Sequence, residues 1–353
     1  MDSAQAIIED LKIKVTQASL PDEVEEKLLN LLKLPGIGVE LERTIAYINF
    51  VLSLPFDKYS QDILDINRAK QILDQNHYGL QSVKNRILEY LAVMILNRRN
   101  PERAQPFGSE PQGRRRVEGH APILLFVGLV GTGKTSLASS IADVLGRPLV
   151  RIPLGGLGDP ATLRGQGRQK GDAQAGQIMK AIKSAKVSNP VILLDEIDRV
   201  AEEHRTDIMG VLLELLDPAQ NRSFVDHFLD FPYDLSQVLF IATANNTQNI
   251  ATAVLDRLEP IQMPIYSDEE KLTIGRAYLL PKVMDEAGLN REIVTIDDST
   301  WPQIIRPLGF DGGIRSLERT IQGICRKIAR NIVEGEEGPF KVTSENLGEY
   351  LQS

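Results

Sequence analysis

The stretch GLVGTGKTS, Gly128 to Ser136, follows the apolar run ILLFV (123–127) and opens a segment with Leu137, Ile141 and Leu145 at helical spacing. A strand that feeds a Gly-x4-Gly-Lys-Thr loop, and a helix that leaves it, allow few folds. The glycines let backbone amides turn inward on phosphates, and the helix N-terminus adds positive potential. In this arrangement Lys134 reaches the β- and γ-phosphates of a nucleoside triphosphate such as ATP, and Thr135 can ligate Mg²⁺. Gly128, Val130, Gly131, Thr132, Gly133 and Ser136 complete the expected cradle.

A loop of this kind needs a second strand ending in an acid, and Val191-Ile192-Leu193-Leu194-Asp195-Glu196 supplies one. Asp195 is placed to hold the metal shell and Glu196 to polarise an attacking water, although an acid after an apolar strand can also serve only as a helix cap. A third run, VLFIAT (238–243), ends at Ala244-Asn245, where an amide can orient the same water or simply form a turn. Short apolar runs (ILLFV, LVRIP, VILLDE, VLFIAT) alternate with amphipathic helices, including ones near 176–187 and 205–216. Such alternation predicts an α/β fold, a parallel sheet between helical layers.

The flanks read differently. Residues 1–70 predict a helical N-terminal segment: LPDEVEEKLLNLLKL places Leu28, Leu31 and Leu32 on a helical face behind Pro21, PGIG (35–38) breaks it, and Ile45, Ile48 and Leu52 carry a second stretch. Residues 71–266 read as the nucleotide domain, with two helical patterns hinged at His77-Tyr78-Gly79 and a flexible polar linker at about 100–120. Residues 267–353 read as helical again, opening on the capping box Ser267-Asp268-Glu269-Glu270. Leu255-Asp256-Arg257 closes a short helix, and Arg257 taken by itself reads first as a surface partner of Asp256 or Glu259.

Composition narrows the function classes. A net charge of −8 disfavours a nucleic-acid partner, and the one basic run, Arg114-Arg115-Arg116, lies in a Pro/Gly-rich stretch. Cys325 is the single cysteine, and His77, His120, His204 and His227 have no zinc-ligand spacing. No apolar run approaches the ~20 residues of a membrane helix, and the first residues lack the pattern of a secretory signal. The expectation is a cytoplasmic protein without membrane partners.

Several stretches in order resemble the ATPase module of the Lon proteases, within the AAA+ superfamily. They are HYGLQSVKNRILEYLAV (77–93), GLVGTGKTSLASSIADVLGRPLVRIPLGG (128–156), VILLDEID (191–198), LLELLDPAQNRSFVDHFLDFPYDLSQVLFIATAN (212–245), VLDRLE (254–259), YLLPK (278–282) and GGIRSLERTIQGICRKIA (312–329). The resemblance implies a P-loop AAA+ three-layer αβα domain with a C-terminal lid. It also implies that His77 and Tyr78 lie by the adenine, that Asn245 is a first sensor and Arg315 a second, and that Arg257 is a finger offered to the neighbouring subunit's nucleotide. An arginine acting in trans favours a ring of identical chains, expected to be a hexamer, working on unfolded or damaged proteins.

The chain departs from that family at two places. Where Lon proteases carry an aromatic-hydrophobic pair thought to grip a threaded polypeptide, RGQGRQKGDAQAGQI (164–178) has Lys170-Gly171, which offers no ring or apolar face. Neighbouring residues within AQNRSFVDHF (219–228) are the candidates to compensate. No segment carries the Ser-Lys nucleophile pair of the peptidase domain, so the expectation is an ATPase without that site, either a fragment or a stand-alone protein. A nucleotide-switched assembly or adaptor that does not thread substrate is the alternative, and a DNA-remodelling ATPase is weakened by the acidic charge.

Overall fold

A computed structural model describes residues 2–33, 38–99, 123–306 and 311–351. The polar linker with its arginine run, and His120, lie outside the described residues.

Five strands form the central sheet: β1 (Ile123–Val127), β2 (Leu149–Pro153), β3 (Val191–Asp195), β6 (Leu239–Ala244) and β7 (Leu258–Gln262), with β4 (Phe224–Val225) and β5 (Pro232–Tyr233) a separate short antiparallel pair. The order is β2-β3-β6-β1-β7 and every pairing in it is parallel. A parallel sheet is covered on both faces, which is why its inner strands are apolar without alternation. Val191 to Asp195 are all buried.

Alternate residues feed two cores. Leu125, Val127, Ile192 and Leu194 pack with Leu11, Val15, Val24, Leu28, Leu32, Ile48 and Val51 of the N-terminal helices Asp2–Gln17, Asp22–Lys33 and Val39–Leu52. Leu124, Phe126, Val191, Leu193 and Ile241 pack with Leu137, Ile141 and Leu145 of the helix Lys134–Leu145, with the helices Ile66–Asn76 and Gln81–Arg99, and with lid residues Leu317, Ile321 and Ile324. The result is the expected three-layer αβα arrangement, with the N-terminal helices joined to one face. The helix Ile66–Asn76 runs across residue 70 and is capped by Asp65, whose carboxylate accepts from Asn67 N at 2.8 Å and Arg68 N at 3.2 Å.

The lid opens where Ser267 and Glu270 form a reciprocal capping box, and its long helix Arg315–Val333 buries Leu317, Ile321, Ile324, Cys325 and Ile328 along one stripe. The lid is not wholly helical: β8 (Val294–Ile296) and β9 (Phe340–Val342) pair in parallel. Strand β7 was likewise not legible as a strand, because LEPIQ contains Pro260. It pairs only with β1, and an edge position tolerates proline. No helix among the described residues is long and apolar enough to cross a membrane.

Candidate nucleotide site

The loop after β1 turns on Gly131 and Gly133, whose φ values of 83° and 92° suit glycine. The buried Thr132 hydroxyl donates to Leu129 O at 2.8 Å and braces the turn from within. Two residues on, Lys134 begins the helix and is itself buried. Its ammonium donates to Leu129 O at 2.9 Å and to Gly128 O, and reaches Asn245 Oδ1 at the end of β6, 3.3 Å away. Burial lowers the proton affinity of Lys134, while Asp195, Asp198 and Glu196 pull it back up. Lys134 thus lies in the field of the three acids that follow β3. Thr135 and Ser136 are exposed on the first turn, and Ser136 Oγ donates to Gly133 O at 2.9 Å.

The ends of β3 and β6 are joined by side chains the sequence did not single out. Buried Thr243 donates its hydroxyl to Asp195 Oδ1 and accepts from Glu196 N at 2.9 Å. Arg151 of β2 donates to Asp195 Oδ2 at 2.6 Å. Glu196 stands in a left-handed conformation, φ 58°. Asp198 Oδ2 accepts from the backbone of Asn245 at 3.1 Å and of Asn246 at 3.3 Å, which fixes the amide of Asn245 beside Lys134. Asp198 was visible as the third acid of LLDEID, and Thr243 as the one polar residue near the end of an apolar strand.

The remaining expected residues reach the loop from elsewhere. His77 is buried with Nε2 2.9 Å from Ser140 Oγ on the helix Lys134–Leu145. Burial, reinforced by nearby Lys84, lowers its pKa to about 4, so the ring is neutral at pH 7. Tyr78 is exposed, its ring 6.3 Å from that of Tyr278 in the lid. Arg315 starts the long lid helix, and a Cβ on Gly131 would sit 3.0 Å from its nitrogen. Ile314 N donates to Gly131 O at 2.9 Å, and a Cβ on Gly313 would lie 2.3 Å from Val130 O. Tyr266, the last residue before the lid, bridges lid and loop: its backbone N–H donates to Gly312 O at 3.1 Å and its hydroxyl lies 3.4 Å from Thr132 O, with burial raising its pKa to about 12. The lid therefore rests directly on the phosphate loop.

Arg257 is not brought to this cluster. It pairs with Asp217 at 2.9 Å, not with Asp256 or Glu259; Glu259 takes Arg86 at 2.6 Å. Nearly half of its side chain is exposed.

Residues 124–264 match the model of the ATPase family associated with various cellular activities (AAA), and residues 285–340 match the Lon protease AAA+ ATPase lid domain. A Lon protease of Heliobacterium modesticaldum is 43% identical over 99% of this chain and 41% of its own length. Those of Lawsonia intracellularis, at 42% over 98% and 40%, and Lon protease 2 of Thermus thermophilus, at 41% over 98% and 42%, are similar. The chain belongs to the Lon protease family. It carries that family's AAA+ module and lid, and spans about two fifths of the length of these curated relatives. Membership of the AAA family makes this Lon module an ATP-binding ATPase domain.

The donor set of the Lon module suits a divalent cation with its nucleotide. The Thr135 hydroxyl and Asp195 carboxylate are hard oxygen donors of the kind Mg²⁺ takes. Beside Lys134, Asp198 Oδ1 and Asn245 Nδ2 are buried without a protein partner, an acceptor and a donor that water or a hydrated ion could satisfy.

The loop 165–176 of the Lon module is closed at its neck by Asp226, which accepts from Gly176 N at 2.7 Å and Phe228 N at 2.8 Å. Lys170 and Gly171 stand exposed near its tip. Between the loop and the helix Val39–Leu52 lies a cleft of about 1100 Å³. Among the neighbours considered for compensation, Phe224 is fully buried and Phe228 packs edge-on against Tyr47 and Phe50, whereas His227 is exposed and lines the cleft.

Proposed function

We propose that this chain couples hydrolysis of Mg-ATP to unfolding or translocation of protein substrates, as the motor part of a Lon-type assembly in the cytoplasm. In this reading residues 1–70 are an N-terminal helical piece, 71–266 the nucleotide domain and 267–353 the lid. ATP lies between nucleotide domain and lid, with His77 and Tyr78 toward the base and residues 128–136 along the phosphates. Lys134 and Arg315 counter phosphate charge, Thr135 and Asp195 hold the metal, Glu196 takes the proton of the attacking water and Asn245 orients it. The metal supplies charge neutralisation and a fixed oxygen geometry when bound.

Arg257 would complete the site of an adjoining copy in a ring, which the family resemblance puts at six. An arginine in trans can contribute ~10³-fold or more in rate, so turnover would depend on assembly. The observation that carries the reading is the reach of Lys134 to Asn245, since it brings the phosphate loop and the end of β6 together beside Asp195, Glu196 and Asp198.

Exposed Lys170 and Gly171 favour a second reading, a nucleotide-switched assembly module in which nothing is threaded. ATP turnover measured with and without unfolded casein separates the two. The motor reading expects stimulation by casein, loss of ATP binding in Lys134→Ala, and retained binding with slow turnover in Glu196→Gln. Absence of stimulation in a turning-over ring refutes threading. Mixed rings of Arg257→Ala and Glu196→Gln subunits should recover turnover that neither has alone, and no recovery at any ratio refutes action in trans.

A further inference from the structure

Both oxygens of the Asp195 carboxylate are held. Oδ1 accepts from the Thr243 hydroxyl, and Oδ2 accepts from Arg151, whose Nε and Nη2 each lie 2.6 Å away. Arg151 stands on the outer strand β2, in register with Leu193, two residues before Asp195 and on the same face of the sheet. The carboxylate side chain is 6% exposed, whereas the arginine is 56% exposed and reaches in from solvent. Lys134 cannot take its place as close counter-ion while its ammonium is committed to Gly128 O, Leu129 O and Asn245 Oδ1.

We infer that Arg151 is a positioning residue that competes with the divalent cation for the Asp195 carboxylate, and so sets how strongly nucleotide binding depends on the metal. The inference rests on the nucleotide-site reading above and adds to it a residue outside the phosphate loop. A buried carboxylate beside a triphosphate has to be neutralised, and two cations are available for the task. Without metal, Arg151 cancels the charge that would repel the phosphates. With metal present, the half-solvated guanidinium can leave for water at small cost, because its chain already lies largely outside the protein. Arg151 therefore strengthens metal-free binding and makes the metal dependence shallower.

The test is the dissociation constant of a fluorescent ATP analogue for the full chain, in EDTA and in excess Mg²⁺. It is read as the ratio of the two values for wild type, Arg151→Gln, Asp195→Asn and the double variant. Arg151→Gln should raise the ratio about fivefold, the scale that a partly exposed ion pair supports. In the Asp195→Asn background the same substitution should leave the ratio unchanged, since the coupling partner is gone. Arg151→Lys, which keeps the charge but loses the two-nitrogen grip, should fall between wild type and Arg151→Gln, and a ratio above that of Arg151→Gln would overturn the inference. If both constants rise together and the ratio stays fixed, Arg151 binds phosphate directly and the inference fails. An equal effect with and without Asp195 overturns it too. Binding that survives Lys134→Ala would refute the nucleotide-site reading and this inference with it, whereas a fixed ratio with Lys134→Ala inactive refutes the inference alone.

Discussion

Replacing Thr243 by valine keeps the shape of a fully buried side chain and removes the hydroxyl that ties β6 to the end of β3. Two groups lose their partner: the Asp195 Oδ1 that accepts from the hydroxyl, and the Glu196 N–H that donates to it at 2.9 Å. A buried polar group left without a partner costs about 1–3 kcal/mol, with charged acceptors toward the upper end. The carboxylate keeps Arg151 on its other oxygen, so about 2 kcal/mol for Oδ1 and about 1 kcal/mol for the amide is a reasonable sum. The added methyl returns roughly 0.8 kcal/mol of burial. Thr243→Val should therefore lower stability by about 2 kcal/mol, read from the urea midpoint by circular dichroism. Turnover should fall as well, because Glu196 is held in its left-handed conformation partly through that amide. Thr243→Ser, which retains the hydroxyl, should keep turnover at a stability cost of about 1 kcal/mol. A loss below about 0.5 kcal/mol in Thr243→Val, with turnover intact, would show that the hydroxyl bridge does not hold the site together.

His77 gives a pH-dependent test. Its folded pKa of about 4 lies below the unfolded value of about 6.5, so the unfolded chain takes up a proton that the folded one refuses. Its contribution is complete above pH 6.5 and is lost as pH falls toward 4, amounting to about 2 kcal/mol by pH 5. His77→Gln should flatten that part of the stability curve, and an unchanged slope would refute the buried neutral ring. Gly313→Ala drives a Cβ to 2.3 Å from Val130 O and should push the lid off the phosphate loop. Overpacking of this kind costs about 1–3 kcal/mol, so ATP affinity measured by fluorescence should fall roughly tenfold. Unaltered affinity would mean that lid docking is irrelevant to binding.

The sheet was legible wherever a strand is buried on both faces, because continuous apolar runs such as VILLD have no other economical place in a fold. The edge strand β7 was not, since an edge position admits Glu259 and Pro260, which break its apolar run, whereas LVRIP on the opposite edge, β2, keeps three apolar aliphatic residues. The three-residue strands of the lid are too short to show a period. Within the site, the loop and its acids could be read because backbone geometry and charge constrain them locally. The roles of Thr243, Asp198, Arg151 and Tyr266 depend on which strand ends and hinges become neighbours, and that is fixed by strand order rather than by local spacing. Arg257 illustrates the limit from the other side: nearby acids at 256 and 259 looked like natural partners, yet its partner Asp217 lies 40 positions away.

The contact between Ile314 N and Gly131 O makes the phosphate loop the fulcrum of a long arm. The helix that begins at Arg315 has 19 residues. At 1.5 Å per residue it extends about 28 Å, so a tilt of about 10° at the loop carries its far end through about 5 Å. A rearrangement at the loop no larger than a peptide plane would, if the lid moved with it as one body, become a displacement of that size at Val333.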